Sequence, residues 1–200
     1  YEGQRQDLIR YMRETENQLQ ILLCELAAYL HNKDMEINVW DRIIAFEGRM
    51  HEFITAAYDY QDNTFHSHPG YYIDYFEMRL AQLQVLHNLH YEIKKIRKMP
   101  KQALVIADYI MYMADYVVEM NIPDQQIEKL EEISEQMKQE ELPKTREEFE
   151  GRALLYHILM DLEEFLVYKK RFVNGLDEKK LRIYWKQEME QKDSANELQK

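Results

Sequence analysis

The chain has 200 residues, of which 46% are hydrophobic and 32% are charged, and its formal net charge is −11. A chain of this length buries about 70% of its unfolded surface, so one core can form without disulfides or metal. The acidic balance argues against a nucleic-acid partner, because phosphate binding requires a basic field. The single cysteine, Cys24, cannot form an internal disulfide, which fits a reducing compartment.

Apolar residues recur at helical spacing along the chain, and all four prolines fall between these periodic segments. The predicted helices cover residues 5–31, 38–60, 71–98, 101–121, 123–140, 145–174 and 177–191. We therefore predict an all-α protein, an antiparallel helical bundle of about six long helices. Residues 1–175 form the bundle in this prediction, and residues 176–200 form a C-terminal helix and a polar tail.

The second predicted helix has its apolar stripe at Ile43, Phe46, Met50, Phe53 and Ala57. Gly48 lies inside this helix, where glycine costs about 1 kcal/mol relative to alanine. We therefore expect another backbone to approach Gly48 closely.

The third predicted helix places two polar residues in its apolar stripe. This stripe consists of Phe76, Arg79, Leu83, Leu86, His90 and Ile93. A buried guanidinium is costly without a carboxylate partner, so Arg79 should pair with an internal acid or bind an external anion. We favour the internal pair, with Asp108, Asp115 and Glu163 as the candidate acids.

The fourth predicted helix is apolar on nearly all sides. Its segment 103–118 is the nearest candidate for a membrane span, but Asp108 and Asp115 interrupt it at a cost that lipid would not tolerate. We expect this helix at the centre of the bundle or in an oligomer contact.

The sixth predicted helix carries the most specific pattern. Leu142 and Pro143 break the preceding structure, and residues 145–148 read as a capping box with Thr145 as N-cap and Glu148 reaching back. The residues that follow in order are Phe149, Glu150, Arg152, Ala153, His157, Leu159, 163–166 and Lys169. Together with a second block at 72–82, this order resembles the C-terminal domain of bacterial membrane proteins in the putative aromatic acid exporter family, from about residue 5 to 173.

The resemblance implies a domain on the cytoplasmic side of the cell membrane, preceded by a membrane domain from which the first helix continues. Transport of aromatic carboxylates would then belong to the membrane part. This domain would assemble subunits into a homo-oligomer, gate the pore or sample substrate. If it samples substrate, Arg79 would face a tyrosine-lined cavity, and the candidate anion-binding residues are Arg79, Tyr72, Tyr75 and Tyr112.

The segment 181–186 combines basic and aromatic residues in an otherwise acidic chain. Such a mixture suits a membrane surface or a neighbouring subunit. A short helix packed on its own bundle is the alternative, and we favour it.

Two further classes of function stay open beside the exporter domain: a free-standing scaffold and a metal-binding helical enzyme. Di-iron bundles need a carboxylate three residues before a histidine, and none of the seven histidines has one. The nearest metal-ligand candidates are Glu47 with His51, His87 with His90, and His66 with His68. We interpret all of these as ordinary polar residues, and we expect no catalysis, no cofactor and no metal.

Overall fold

The structure is a computed structural model that describes residues 2–32, 38–64, 70–185 and 197–199. Within these ranges the chain forms seven helices and no strand. The helices are α1 (Glu2–His31), α2 (Val39–Asp62), α3 (Gly70–Lys95), α4 (Ala103–Ala114), α5 (Asp124–Lys138), α6 (Arg146–Asn174) and α7 (Glu178–Tyr184).

Three pairs of helices, α1 with α2, α2 with α3 and α3 with α6, pack antiparallel. Arg42 of α2 pairs with Glu25 of α1, and Arg49 pairs with Glu14. Residue numbers therefore rise along α2 as they fall along α1. Contacts between α2 and α3, and between α3 and α6, show the same antiparallel arrangement. The predicted all-α fold is confirmed.

Helix α1 packs against α2, α3 and α4, while α3 also packs against α2 and α6. Helix α5 lies against α4 and α6. The whole predicted stripe of α3 is buried, including Arg79 and His90. These contacts place the third helix in the interior with its polar residues enclosed.

Helix α4 ends at Ala114, well before residue 121, where the sequence predicted its end. It buries Ile106, Ile110 and Met113 but leaves Leu104 and Met111 nearly half exposed. A position at the centre of the bundle is therefore wrong, and an oligomer contact stays a prediction. Across the described ranges, no helix combines the length and apolar character that crossing a bilayer requires.

The N-terminal cap predicted for α6 is confirmed, whereas the predicted C-terminal stop is wrong. Thr145 Oγ1 accepts a hydrogen bond from the Glu148 N–H at 3.1 Å, so Thr145 is the N-cap. Glu148 reaches back to the Lys144 N–H at 2.8 Å. At the other end, Gly175 has φ −78°, so the left-handed stop predicted there is wrong. The Gly175 N–H instead donates to the Arg171 carbonyl oxygen at 3.0 Å.

The close backbone approach predicted at Gly48 is also wrong, because a Cβ placed there would meet nothing within 4 Å. The close approach occurs at Gly151 of α6. A Cβ there would lie 3.0 Å from Pro100 Cγ and 3.3 Å from the Lys98 carbonyl oxygen. Gly151 therefore allows α6 to pack on the connection that follows α3.

These two glycines form a matched pair for mutation. Gly48→Ala should raise the free energy of unfolding by about 1 kcal/mol, because alanine has the higher helix propensity and space is available. Gly151→Ala should be neutral or destabilising, because the added methyl presses on a stiff proline ring and a backbone carbonyl. Urea unfolding measures both changes. An equal gain at both positions would contradict the packing at Gly151.

Candidate functional site

A set of polar side chains is buried where α1, α3, α6 and the α4–α5 connection meet. We call it the buried cluster, and it consists of Arg13, Glu16, Tyr71, Tyr75, Arg79, Gln82, Glu119 and Lys169. All of these side chains except Arg13 are buried; Arg13 closes the cluster from the surface. Each buried polar group needs a partner among protein groups or ordered water, because bulk solvent does not reach it.

Arg79 is the most enclosed cation of the cluster, with 1% of its surface exposed. Its Nε donates to the Tyr75 hydroxyl at 3.0 Å, and its Nη1 donates to Gln82 Oε1 at 2.9 Å. The guanidinium carbon also lies 5.0 Å from the centroid of the Tyr75 ring. Two of the three guanidinium nitrogens are therefore satisfied by neutral groups of its own helix.

None of the three acids predicted as partners of Arg79 pairs with it. Asp108, Asp115 and Glu163 are exposed. Arg79 instead reaches a carboxylate through Tyr75, because the Tyr75 hydroxyl donates to Glu16 Oε1 of α1 at 3.3 Å. Burial raises the pKa of the Tyr75 hydroxyl, which keeps the proton that this hydrogen bond needs.

Arg13 links the two buried carboxylates. Its Nη1 lies 2.9 Å from Glu16 Oε1, and its Nη2 lies 3.0 Å from Glu119 Oε1. Glu119 also accepts a hydrogen bond from the Tyr71 hydroxyl at 2.6 Å. Burial, followed by the nearby Glu119, raises the pKa of Tyr71. Helix α1 is thereby tied to α3 and to the α4–α5 connection.

Lys169 of α6 binds three backbone carbonyl oxygens of the α4–α5 connection. Its Nζ lies 2.8 Å from the oxygens of Val118 and Glu119 and 2.9 Å from that of Asn121. These carbonyls lie beyond the end of α4, where no helical N–H reaches them. Burial lowers the pKa of Lys169 well below its ordinary value, and the nearby Arg79 lowers it further.

The C-terminal segment also joins the cluster. Trp185 Nε1 donates to the Tyr71 hydroxyl at 3.0 Å, and the Tyr184 ring stacks on the Tyr71 ring with centroids 4.0 Å apart. Lys169 Nζ lies 5.7 Å from the centroid of the Trp185 ring. The favoured interpretation of this segment, packing on its own bundle, is confirmed for these two aromatic residues. Lys186 lies outside the described residues.

The four predicted anion-binding residues do not surround one cavity. Arg79 and Tyr75 touch, but Tyr72 accepts a hydrogen bond from Arg5 Nε at 3.3 Å. Tyr112 lies beside Gln126 and Lys129 instead. The crevice beside Arg79 offers about 10 Å³, which suits a water-sized group and not an aromatic ring. Anion binding by these four residues together stays a prediction.

A larger surface cavity lies between the α3–α4 and α5–α6 connections, with a volume of about 280 Å³. Its lining combines apolar Met99, Pro100 and Leu142, basic Lys98, Lys101, Lys144 and Arg152, and acidic Glu140, Glu141 and Glu148. Arg152 donates to the Glu141 carbonyl oxygen, while its buried Nε has no acceptor among the described residues. This volume is close to the ~300 Å³ at which small-molecule sites begin.

The predicted metal-ligand candidates have other surroundings. His87 Nδ1 lies 3.7 Å from Glu47 Oε1, and His90 packs near Trp40 and Tyr29. His66 and His68 lie outside the described residues. In the part of the chain that the structure describes, no group of three or more His, Cys, Asp or Glu residues is arranged to hold a metal ion.

Sequence reasoning found Arg79 but missed Glu16, Glu119 and Lys169. Glu16 stands in the buried face of α1 between Met12 and Leu19, so it carries the same signal that revealed Arg79. Lys169 likewise stands among the apolar residues of the buried face of α6. Glu119 carries no such signal, because it lies in an irregular connection.

The fold and the buried cluster define an all-α domain whose ionisable residues hold helices to one another. The chain belongs to the family described as the putative aromatic acid exporter C-terminal domain, whose pattern matches residues 5–170. The resemblance seen in the sequence is confirmed, and it connects the chain with a family of membrane exporters.

Two relatives support this assignment. The chain is 28% identical over 169 residues to "Uncharacterized protein YqjA" of Bacillus subtilis (strain 168), covering 82% of this chain and 51% of that protein. It thus spans about half the length of this relative. A solved structure, "Crystal structure of putative membrane protein from Clostridium difficile 630", is 23% identical with a TM-score of 0.75. That match covers 84% of this chain and 97% of the solved chain, and it shows a common fold.

Neighbouring lysines of α6 test the contribution of the cluster to stability. Lys169→Met should lower the free energy of unfolding by about 3 kcal/mol, because it removes all three hydrogen bonds that Nζ donates to the α4–α5 connection. Lys170→Met should cost less than about 1 kcal/mol, because Lys170 pairs with Asp124 at the surface. Urea unfolding of both variants measures the difference. Equal losses in free energy of unfolding would show that the buried hydrogen bonds of Lys169 stabilise the fold no more than a surface ion pair does.

Proposed function

We propose that the chain is a regulatory domain of a bacterial membrane exporter for aromatic carboxylates, on the cytoplasmic side of the membrane. In this proposal the membrane part transports the substrate, and the domain gates it without any catalytic step. The family assignment supports the proposal, as does the length of the Bacillus subtilis relative, of which this chain spans about half.

The observation that carries the gating role is the place of α1 in the bundle. This 30-residue helix contacts α2, α3 and α4, and its first residues, Glu2 and Gly3, are exposed. Arg13 and Glu16 lie further along the same helix and hold partners on α3 and on the α4–α5 connection. If α1 continues from a membrane helix, a displacement there would reach the buried cluster directly.

Assembly into a homo-oligomer belongs to the same proposal. Gating in an oligomer needs a surface through which the domains meet, and α4 offers exposed apolar residues on its outer side. These are Leu104, Val105 and Met111, each 45–49% exposed. A second copy of this chain is the partner we propose for this face.

Sampling of substrate is a second candidate role, favoured by the surface cavity of about 280 Å³. Apolar Met99, Pro100 and Leu142 could receive an aromatic ring, and the basic residues around them could receive a carboxylate. Arg152 is the most informative of these residues because its buried Nε lacks an acceptor among the described residues. The acidic residues of the lining would limit the affinity for an aromatic carboxylate, because like charges repel.

Two observations would distinguish the exporter domain from its rivals, a free-standing scaffold and a metal-binding enzyme. Several hydrophobic segments encoded before Tyr1 would support the exporter, whereas their absence would favour a free-standing scaffold. Stoichiometric iron, manganese or zinc in the purified protein would favour a metal-binding enzyme.

The test measures efflux of hydroxybenzoate from bacteria that produce the complete membrane protein. Glu119→Gln should change the maximal efflux rate about fivefold or more at equal abundance in the membrane, because the link between Arg13 and Glu119 is weakened. Lys170→Met is the matched control and should leave the rate unchanged. Under the sampling role, Arg152→Gln should raise the substrate concentration for half-maximal efflux and spare the maximal rate.

A deletion of residues 5–174 completes the experiment. If the shortened protein reaches the membrane and exports hydroxybenzoate like the wild type, with the same concentration dependence, neither gating nor sampling is correct.

A further inference from the structure

The charges of the buried cluster do not balance. Three cations, Arg13, Arg79 and Lys169, face two carboxylates, Glu16 and Glu119, which leaves one positive charge in excess. Arg13 binds both carboxylates directly. Glu16 reaches Arg79 only through the Tyr75 hydroxyl, and Lys169 binds backbone carbonyl oxygens, so these two enclosed cations share incomplete charge compensation, which is costly.

Arg79 and Lys169 line the same small crevice. The other lining residues are Gln82, Met113, Tyr116, Val117, Asn121, Pro123, Phe165 and Leu166, and none of them is acidic. After burial, the nearness of Arg79 is the largest cause that lowers the pKa of Lys169, so the two cations repel each other. Glu16 and Glu119 act in the opposite direction on the pKa of Lys169, but neither carboxylate lines the crevice, whose charged lining residues are the two cations.

Arg79, which lines the crevice, has one unmet hydrogen-bond donor. Arg79 Nη2 is buried and has no acceptor among the described residues, whereas Nε and Nη1 are both satisfied. An unmet donor on a charged group costs more than one on a neutral group. The crevice offers about 10 Å³, which is the space that one water-sized group needs.

We propose that a small monovalent anion, such as a halide, binds in this crevice between Arg79 and Lys169. It accepts the hydrogen bond that Arg79 Nη2 can give and cancels the excess positive charge. It also favours the ammonium form of Lys169, whose three N–H donors match three carbonyl oxygens. A water molecule would satisfy the donor but would leave the charge uncompensated.

The anion would act as a structural ligand that holds α3, α6 and the α4–α5 connection together. This role depends neither on the membrane part nor on the exporter function. A larger anion would need the crevice to open, so halides should be preferred over organic acids with a ring.

Thermal unfolding of the chain in sodium chloride, with sodium gluconate keeping the ionic strength constant, tests the proposal. Above the dissociation constant, each tenfold rise in chloride should raise the Tm by about 3–6 °C, because the ligand binds only the folded state. Lys170→Met should show the same rise, since Lys170 does not line the crevice. Arg79→Gln should abolish it.

The Arg79→Gln variant could fail to fold, so a second measurement uses the wild type alone. Anomalous scattering from bromide-soaked crystals should place one bromide between Arg79 and Lys169. No chloride-dependent rise in Tm beyond that in gluconate, or no bromide at this position, would mean that the crevice holds water only and would overturn the proposal. An equal rise in Arg79→Gln would overturn it as well.

Discussion

The structure depends on how the charge of Arg79 is balanced inside the bundle. Arg79 is almost fully enclosed, and its counter-charge, Glu16, lies on another helix and is reached only through the Tyr75 hydroxyl. That hydroxyl accepts from one residue and donates to the other, so both hydrogen bonds require a fixed register between α1 and α3. A buried charge without such a connection costs several kcal/mol, so the register of these two helices is tightly specified.

The other members of the cluster extend this constraint to the rest of the fold. Arg13 connects the carboxylate of Glu16 with that of Glu119, and Lys169 holds the connection on which Glu119 lies. The connection beyond the early end of α4 is part of the same arrangement, because it brings three carbonyl oxygens to Lys169 Nζ. In the proposed regulatory role, a displacement of α1 would reach α3 and α6 through these contacts.

The sequence was sufficient for the order of the helices, for the start of α6 and for the burial of Arg79, because periodicity and the Thr145 cap are local signals. The partner of Arg79 was not predictable, since it depends on which faces of two helices meet. Asp108 and Glu163 were plausible acids, yet their helices turn them towards water. The roles of Gly48 and Gly151 were likewise indistinguishable by local pattern, because only packing against Pro100 separates them.

A double-mutant cycle on Tyr75 and Glu16 tests this account most directly. Tyr75→Phe removes the connecting hydroxyl, and Glu16→Gln removes the counter-charge while keeping the shape of the side chain. If Glu16 balances Arg79 through Tyr75, the double variant should lose about 1 kcal/mol less than the sum of the single losses in free energy of unfolding. Strict additivity would show that Glu16 serves Arg13 alone and that the charge of Arg79 is balanced elsewhere.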